Sequence, residues 1–307
     1  MPERLGRWSA ARKILTVVFF VALGFAWFSL YLFWGTVRPG RTPVSGNPEQ
    51  YFLNAERASI VTADGIRLSA WLIPRAERRG DTAIILLHGY PAAKSDLLPL
   101  AAAMHPHFTT LLPDMRYFGE SGGRATTLGF RERTDVQKAI DLLASRGYTR
   151  IGIFGISLGG AVSIMAAAED ARIGAVAAYA PFSDLGNLAD ESYRHFGPLR
   201  ALLTEPMFLW ARIFFGGDPR IISPLSVAPR LAKPVFLAHN RTDEQISFRN
   251  AQRLQVALRD NPLAEFYFPE SGGHQDLPQD LYPRLIDFFT RSLNAADRFA
   301  TEYVPVR

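Results

Sequence analysis

The chain has 307 residues, contains no cysteine and carries a formal net charge of +5 at pH 7. Without cysteine it has no disulfides, no thiolate metal ligands and no cysteine nucleophile. The charge belongs to the N-terminus, because residues 1–41 hold six of the 34 basic residues and one of the 29 acidic residues, which leaves 28 of each sign in the rest of the chain. This balance gives no electrostatic reason to expect a nucleic-acid partner.

The first element along the chain is an apolar segment from Ile14 to Val37, which contains no Asp, Glu, Lys, Arg or His. As a helix it would be roughly 36 Å long, more than the hydrocarbon core of a bilayer. Trp27, Tyr31 and Trp34 gather toward one end, as interfacial aromatic residues do. We therefore expect residues 1–37 to form a cytoplasmic tip and a single-pass membrane anchor. The alternative is a cleaved signal peptide, for which the apolar run is too long and a small-residue cleavage site is missing close behind it.

The basic residues around this segment predict its orientation. Four of them precede it within residues 1–13, and two follow it within residues 38–41. Because the side with more Lys and Arg stays in the cytoplasm, we expect the N-terminus inside and the rest of the chain on the extracytoplasmic side of the membrane.

After the anchor, composition predicts a linker, one domain and a short tail. Residues 38–50 are rich in Pro and Gly and have no apolar period, which is typical of a linker. Residues 51–295 contain regular apolar patterns, and residues 296–307 form the tail. The domain begins with a predicted hairpin that turns at Asp64-Gly65.

Strands and helices then alternate, which predicts an α/β domain with a mostly parallel sheet and helices on both faces. The predicted strands cover residues 82–88, 108–114, 150–154, 173–180, 234–239 and 264–268. The predicted helices cover residues 95–104, 133–147, 161–170, 248–260 and 281–293.

Residues 184–224 interrupt this alternation with two or three helix-like stretches and no strand. An insertion near the carboxyl ends of parallel strands can cover a site at that edge, so we expect a helical cap. Phe208 and Trp210 belong to its large apolar residues and are predicted to contact substrate; the alternative is that they only pack the cap onto the sheet.

A serine with a glycine two residues away on each side stands in the segment GISLGG, residues 155–160. The segment lies between a predicted strand and an alanine-rich predicted helix, where a nucleophile elbow lies. The turn of an elbow strains the backbone of its serine, and glycines let the strand and helix approach without clashing Cβ atoms. Ser157 is therefore the predicted nucleophile, with an ordinary glycine-rich bend as the alternative.

A serine nucleophile needs a base that takes its proton and an acid that orients the base. After an elbow, the acid comes next along the chain and the histidine last. Asp243 and His274 follow predicted strands and belong to loops at the same edge of the sheet as Ser157. We predict His274 as the base and Asp243 as the acid.

Two other residues are alternatives at this edge. Asp184 also follows a predicted strand and is a second candidate for the acid, in which case Asp243 would only cap a helix. His195 lies in the insertion and is a candidate for contact with substrate.

Backbone amides complete the predicted catalytic site. The segment LLHGYP, residues 86–91, ends a predicted strand with a glycine that permits a tight bend. The amides of Tyr90 and Leu158 are the predicted donors to a developing oxyanion.

Five segments, in this order and well spaced, carry a family resemblance: LLHGYP, DMRYFGESGG, GISLGG, HNRTDEQIS and SGGHQD. From about Ser59 to Leu293 the chain resembles the α/β-hydrolase superfamily, and it is most similar to the serine-aminopeptidase-like and membrane-anchored α/β-hydrolase-domain group, whose members have one N-terminal span. The resemblance implies a carboxylic-ester or related acyl hydrolase. The segment around Asp243 departs from the family pattern H-G-x-x-D-x-x-V-P, since Asn240 replaces Gly and Ser247 replaces Pro, but the Asp keeps its register.

Together these features predict a membrane-anchored serine hydrolase with a Ser-His-Asp triad. It would cleave carboxylic esters, lipid-derived ones among the candidates, through an acyl-enzyme. A serine peptidase passes through the same tetrahedral intermediate, and a catalytically silent binding protein on the same fold is the third alternative. The expected partner is a small acyl or peptide substrate. We expect no cofactor and no metal, because the sequence has no phosphate loop and no paired-histidine ligand motif.

Overall fold

A mostly parallel sheet forms the centre of the protein, whose computed structural model describes residues 2–77, 81–274 and 276–294. Within these residues the sheet has eight strands in the order β1-β2-β4-β3-β5-β6-β7-β8, with β1–β2 and β2–β4 antiparallel and the remaining pairs parallel. The strands are β1 (Glu56–Val61), β2 (Arg67–Ile73), β3 (Thr82–Leu87), β4 (Thr109–Pro113), β5 (Arg150–Ile156), β6 (Ile173–Tyr179), β7 (Val235–Ala238) and β8 (Ala264–Tyr267). The predicted tail, residues 296–307, lies outside the described residues.

Helices follow most of the strands, as the alternating pattern predicts. They are α1 (Pro2–Val37), α2 (Leu98–Met104), α3 (Glu132–Ser145), α4 (Leu158–Glu169), α5 (Leu185–Ser192), α6 (Arg200–Phe215), α7 (Pro224–Val227), α8 (Arg249–Ala257) and α9 (Leu281–Asn294). The helix predicted from residue 95 starts as a 3₁₀ turn, Lys94–Leu97, and becomes α-helical only where Pro99 occupies the first turn of α2. Proline is tolerated there because that amide has no partner within the helix.

The core has two layers, one on each face of the sheet. Alternate residues of β3 point to opposite layers: Ala83, Ile85 and Leu87 belong to one, Ile84 and Leu86 to the other. Helices α3, α4 and α8 cover the first layer, and α2 and α9 cover the second. Coverage on both faces explains why the central strands are continuous apolar runs, and it places the strands' carboxyl ends at one common edge.

Helix α1 is a single helix, and its segment Ala10–Val37 is long and apolar enough to cross a membrane. Its C-terminal part packs against α6 rather than standing free. Phe33 and Val37 form a small buried cluster with Ala211 and Phe215 of α6. The cap region predicted at residues 184–224, which contains α5 and α6, therefore contacts α1 as well as the sheet.

The segment after α1 is held against the domain by hydrogen bonds. The Thr126 amide donates to the Val37 carbonyl at 3.0 Å, and the Tyr117 hydroxyl donates to the Pro39 carbonyl at 2.6 Å. The Arg41 guanidinium donates to two further carbonyls, of Ser121 and Gly123. The composition that predicts a linker for residues 38–50 indicates little regular structure, but it gives no information on this docking.

Candidate active site

The nucleophile elbow is built on two close approaches of α4, one to β5 and one to β3. A Cβ atom on Gly155 would lie 2.1 Å from the Gly159 carbonyl oxygen, and one on Gly159 would lie 2.4 Å from the Leu87 carbonyl oxygen. Both are far inside van der Waals contact, so only glycine fits at either position. Between them Ser157 has φ 53° and ψ −116°, a conformation that strains any residue other than glycine. The strand, the turn and the helix therefore present the Ser157 side chain at the carboxyl edge of the sheet.

The predicted base and acid are hydrogen-bonded to each other. His274 Nδ1 lies 2.7 Å from Asp243 Oδ2, and both side chains are buried. The other carboxylate oxygen, Oδ1, accepts the amides of Gln245 and Ile246, each at 2.9 Å. These bonds fix the carboxylate, which in turn engages Nδ1 of the imidazole. Nε2 is then the ring nitrogen that remains to take a proton.

A second histidine contacts the same carboxylate, and sequence reasoning missed it. His239 Nε2 lies 3.3 Å from Asp243 Oδ2 and 2.8 Å from the Ile246 carbonyl oxygen. Burial by itself raises the pKa of Asp243, but hydrogen bonds from the two imidazoles and the Ile246 amide outweigh burial and hold this pKa well below its ordinary value. Asp243 therefore stays ionised. The available signal was the spacing of four residues between His239, at the end of β7, and Asp243.

The turn after β3 lies directly beside the nucleophile. A Cβ atom on Gly89 would lie 3.5 Å from the Ser157 Cβ. His88 holds the turn, because its Nδ1 lies 2.8 Å from the Gly89 carbonyl and its Nε2 accepts the Met115 amide at 2.9 Å. Burial lowers the pKa of His88, which keeps the imidazole neutral and able to accept.

The two residues that carry the predicted oxyanion donors, Tyr90 and Leu158, line one cavity together with Ser157. Leu158 is the first residue of α4, where backbone amides have no partner within the helix. Tyr90 borders the same cavities as Ser157. Its hydroxyl donates to the Thr36 carbonyl of α1 at 2.6 Å, and burial raises the pKa of Tyr90 to about 12, so the hydroxyl keeps its proton.

A buried ion pair is formed by Lys94, which follows this turn along the chain, and Asp114. The Lys94 ammonium lies 2.5 Å from an Asp114 carboxylate oxygen and 2.7 Å from a Glu120 oxygen, and Lys94 and Asp114 are fully buried. The Lys94 amide also donates to Asp114 at 2.7 Å. Removing the Lys94 charge would leave the Asp114 carboxylate buried without its cation, which is strongly unfavourable, whereas Lys94 keeps Glu120 as a partner if Asp114 is removed.

Two cavities meet at Ser157 and His274. The larger has a volume of about 580 Å³, lies under the cap and is lined mostly by apolar side chains, among them Phe208. The smaller, of about 260 Å³, lies on the side of His88 and Asp96. A substrate with its reacting carbonyl at Ser157 thus has separate room for the groups on either side of that carbonyl.

The structure places three of the other candidates away from these roles. Trp210 is not among the residues that line either cavity; its indole Nε1 donates to Ser29 Oγ on α1 at 3.0 Å. Asp184 caps the N-terminus of α5, where its carboxylate accepts the Gly186 and Asn187 amides. His195 lies exposed on a 3₁₀ turn of the cap. Within the described residues, no group of three or more His, Asp or Glu side chains is placed to hold a metal ion.

Comparison with known proteins places the chain in one family. Residues 84–305 match the Alpha/beta hydrolase family. The uncharacterized protein YqkD of Bacillus subtilis is 32% identical in an alignment of 175 residues that covers 54% of this chain and 56% of YqkD, so the chain spans little more than half the length of that relative. The uncharacterized protein YfhR of Salmonella typhi is 26% identical in an alignment of 265 residues that covers 78% of this chain and 83% of YfhR.

The chain is also similar to the solved structure of the Pyrococcus furiosus esterase Pf2001, with a TM-score of 0.69 and 24% identity over 84% of this chain and 98% of the esterase. At this identity the likeness concerns the fold.

The elbow geometry predicts a large effect of adding one methyl group at Gly159. Gly159→Ala brings a Cβ against the Leu87 carbonyl and should lower the free energy of unfolding by roughly 3 kcal/mol, at the upper end of the usual cost of overpacking. Gly40→Ala is the matched control, because a Cβ there meets nothing within 4 Å. Chemical denaturation of both variants in detergent tests this, and equal stability of the two would contradict the close approach.

Proposed function

The chain belongs to the alpha/beta hydrolase family, and we propose that within this family it is a membrane-anchored serine hydrolase that cleaves carboxylic esters. The observation that carries the proposal is the hydrogen-bonded pair His274–Asp243 at the cavity that Ser157 borders from its strained turn. A nucleophilic role accounts for the backbone strain of Ser157, because the sharp turn places this serine at the edge of the sheet, where it borders the cavity.

In the proposed mechanism, Ser157 Oγ attacks the ester carbonyl carbon while His274 Nε2 takes the hydroxyl proton. Asp243 stabilises the imidazolium, and the amides of Tyr90 and Leu158 donate to the oxyanion. The intermediate collapses with cleavage of the carbonyl–alkoxy bond, and His274 returns the proton to the leaving alcohol. Water then attacks the acyl-enzyme with His274 again as base, which releases the carboxylic acid and restores Ser157.

The two cavities support a division of the substrate. An acyl chain fits the larger, apolar cavity under the cap, and the leaving alcohol fits the smaller cavity beside Asp96. A volume of about 580 Å³ is of the size that holds a small-molecule ligand, and an apolar lining favours a hydrocarbon chain over a peptide. A serine peptidase and a silent binding protein remain as outcomes of the tests below.

We further propose that α1 is a retained single-pass anchor with its N-terminus in the cytoplasm. Its packing against α6 supports retention, because loss of α1 would uncover apolar side chains of the cap such as Phe215. The larger number of basic residues before the span supports the orientation.

The proposed topology predicts that protease added to right-side-out membrane vesicles digests the catalytic domain and leaves an N-terminal tag intact. Inside-out vesicles should give the reverse pattern. A domain that is protected in right-side-out vesicles and digested in inside-out ones would contradict the orientation, and recovery of a soluble domain without α1 would favour the cleaved signal peptide.

Ser157→Ala should lower kcat for ester hydrolysis by about a thousandfold or more, because the covalent route is lost. His274→Ala should lower kcat by about as much as Ser157→Ala, and Asp243→Asn should lower it severely but by less. The double variant Ser157→Ala with His274→Ala should lose little more kcat than either single variant, because the residues act as a unit. Hydrolysis of short and long acyl esters and labelling with a fluorophosphonate probe measure these effects.

Asp184→Asn is the matched control for Asp243→Asn, since Asn also caps a helix and the variant should keep near-normal activity. If the control were the far more damaging of the two while folded, the acid would be Asp184. Near-normal ester hydrolysis by Ser157→Ala would remove the proposal, and cleavage of peptides but not esters by the unaltered protein would favour the peptidase.

Phe208→Ser should depress hydrolysis of long-chain esters and spare acetates, because Phe208 lines the larger cavity. A loss of about tenfold in kcat/KM is expected for the long chains. Phe52→Ser is the control, as this phenylalanine is 96% exposed and lies outside the cap. Equal loss on both ester lengths would indicate that Phe208 only packs the cap.

A further inference from the structure

We propose that the membrane helix is itself part of the substrate site, and that the last turn of α1 with the facing side of α6 forms a subsite for the fatty acyl chain of an ester resident in the bilayer. The inference rests on the proposed esterase function and names the substrate class of that same site.

The cavity that contains the nucleophile is walled on one side by α1. Phe33, Thr36 and Val37 line it together with Ser157 and His274. Their spacing of three, four and one residues places them on one face of a helix. The anchor is therefore an inner wall of the proposed active site, in addition to its role as an attachment.

A second wall comes from α6. Met207, Phe208, Ala211 and Phe215 line the same cavity, again at helical spacing. The two walls are apolar except for Thr204 of α6 and Thr36 of α1, and the Thr36 hydroxyl donates back to the Leu32 carbonyl of its own helix. Such a surface solvates a hydrocarbon chain and offers little to a polar one.

Two contacts join the two walls: Trp210 on α6 donates to Ser29 on α1 at 3.0 Å, and the ring of Phe214 stacks on Phe33 with centroids 5.6 Å apart. A third contact joins α1 to the turn after β3, where the Tyr90 hydroxyl donates to the Thr36 carbonyl at 2.6 Å. Since Tyr90 also supplies a proposed oxyanion donor, the wall is tied to the reacting centre itself.

The position of this wall along α1 indicates that the acyl chain of the substrate comes from the bilayer. The lining residues occupy the last five positions of the 28-residue apolar segment, within about 6 Å of its end at 1.5 Å per residue. With α1 across a bilayer, this level is the boundary between hydrocarbon and headgroups, where the ester linkages of membrane lipids lie. Trp34 and Arg38 are residue types found at the membrane–water boundary, and the Arg38 guanidinium lies 5.3 Å above the Trp34 indole ring.

Exposed apolar residues on α6 also support the bilayer as the source of the acyl chain. Leu202, Ile213 and Phe214 are 57%, 58% and 46% exposed. These side chains continue the apolar surface of α1 onto the cap, because the two helices are packed together. A bilayer that surrounds α1 therefore meets an apolar cap beside the cavity, and an acyl chain passes into the site without crossing water.

The test fills the cavity from the side of the anchor. Thr36→Phe places an aromatic ring in the proposed subsite, and Thr16→Phe is the matched control: each threonine donates to the carbonyl four residues before it, but Thr16 is exposed at the far end of the helix. Full-length protein in lipid nanodiscs is assayed on p-nitrophenyl esters from acetate to palmitate. Thr36→Phe should lower the ratio of palmitate to acetate kcat/KM by about tenfold or more, and Thr16→Phe should leave the ratio unchanged.

Phe33→Ala tests the wall in the opposite direction. It enlarges the cavity and should shift the preferred acyl chain to greater length, whereas Phe28→Ala, at a half-exposed position of α1, should not. An unchanged chain-length profile in both Thr36→Phe and Phe33→Ala, with Ser157 still labelled by a fluorophosphonate, would overturn the subsite and leave the esterase intact. Absence of labelling and of hydrolysis in the unaltered protein would instead refute the esterase.

A second measurement uses the unaltered protein and does not depend on the folding of any variant. A long-chain alkyl fluorophosphonate with a photoreactive diazirine near the chain end is attached to Ser157 and then irradiated in nanodiscs. Peptide mass spectrometry should place cross-links on residues 33–37 of α1. Cross-links confined to residues outside α1 and α6 would overturn the inference.

Discussion

The whole site depends on how closely β5 and α4 approach each other. The Gly159 carbonyl occupies the space that a Cβ atom on Gly155 would fill, and this close contact forces the turn between the two glycines to be sharp. Three features follow from this sharp turn: the positive φ of Ser157, its position at the cavity on the sheet edge, and the position of the Leu158 amide at the start of a helix. The loops after β7 and β8 then need only to reach the same edge, which parallel strands guarantee.

Much of this was accessible from the sequence because its signals are local. The predicted α/β-hydrolase fold, with a mostly parallel sheet and one N-terminal apolar helix, is confirmed by the strand order and the family match. The hairpin at Asp64-Gly65 is present, with Gly65 at φ 80°. The roles of Ser157, His274 and Asp243 stay predictions, but the structure brings the last two into a hydrogen bond and the first to the same cavity.

The remainder was not accessible, because it depends on which side of an element faces which neighbour. Phe208 and Trp210 are two residues apart, so they point about 200° apart around α6. The first faces the cavity and the second faces α1, a difference that composition does not contain. The contact of His239 with Asp243 likewise requires the fold of the loop after β7, and the docking of residues 38–50 requires hydrogen bonds to a part of the chain about 80 residues away.

The C-terminal end of α1 is attached firmly to the domain, and this attachment determines how a movement of the helix reaches the cavity. The last carbonyls of a helix have no hydrogen-bond partner within the helix, and here the domain supplies donors for two of them. The Tyr90 hydroxyl donates to the Thr36 carbonyl, and the Thr126 amide donates to the Val37 carbonyl. Helix α1 and the domain are therefore rigidly connected rather than joined by a flexible linker. A membrane-spanning helix adjusts to a thinner or thicker bilayer by tilting. With α1 across a membrane, as proposed above, such a tilt would press on the cap or draw away from it, and the shape of the cavity would depend on the thickness of the surrounding membrane.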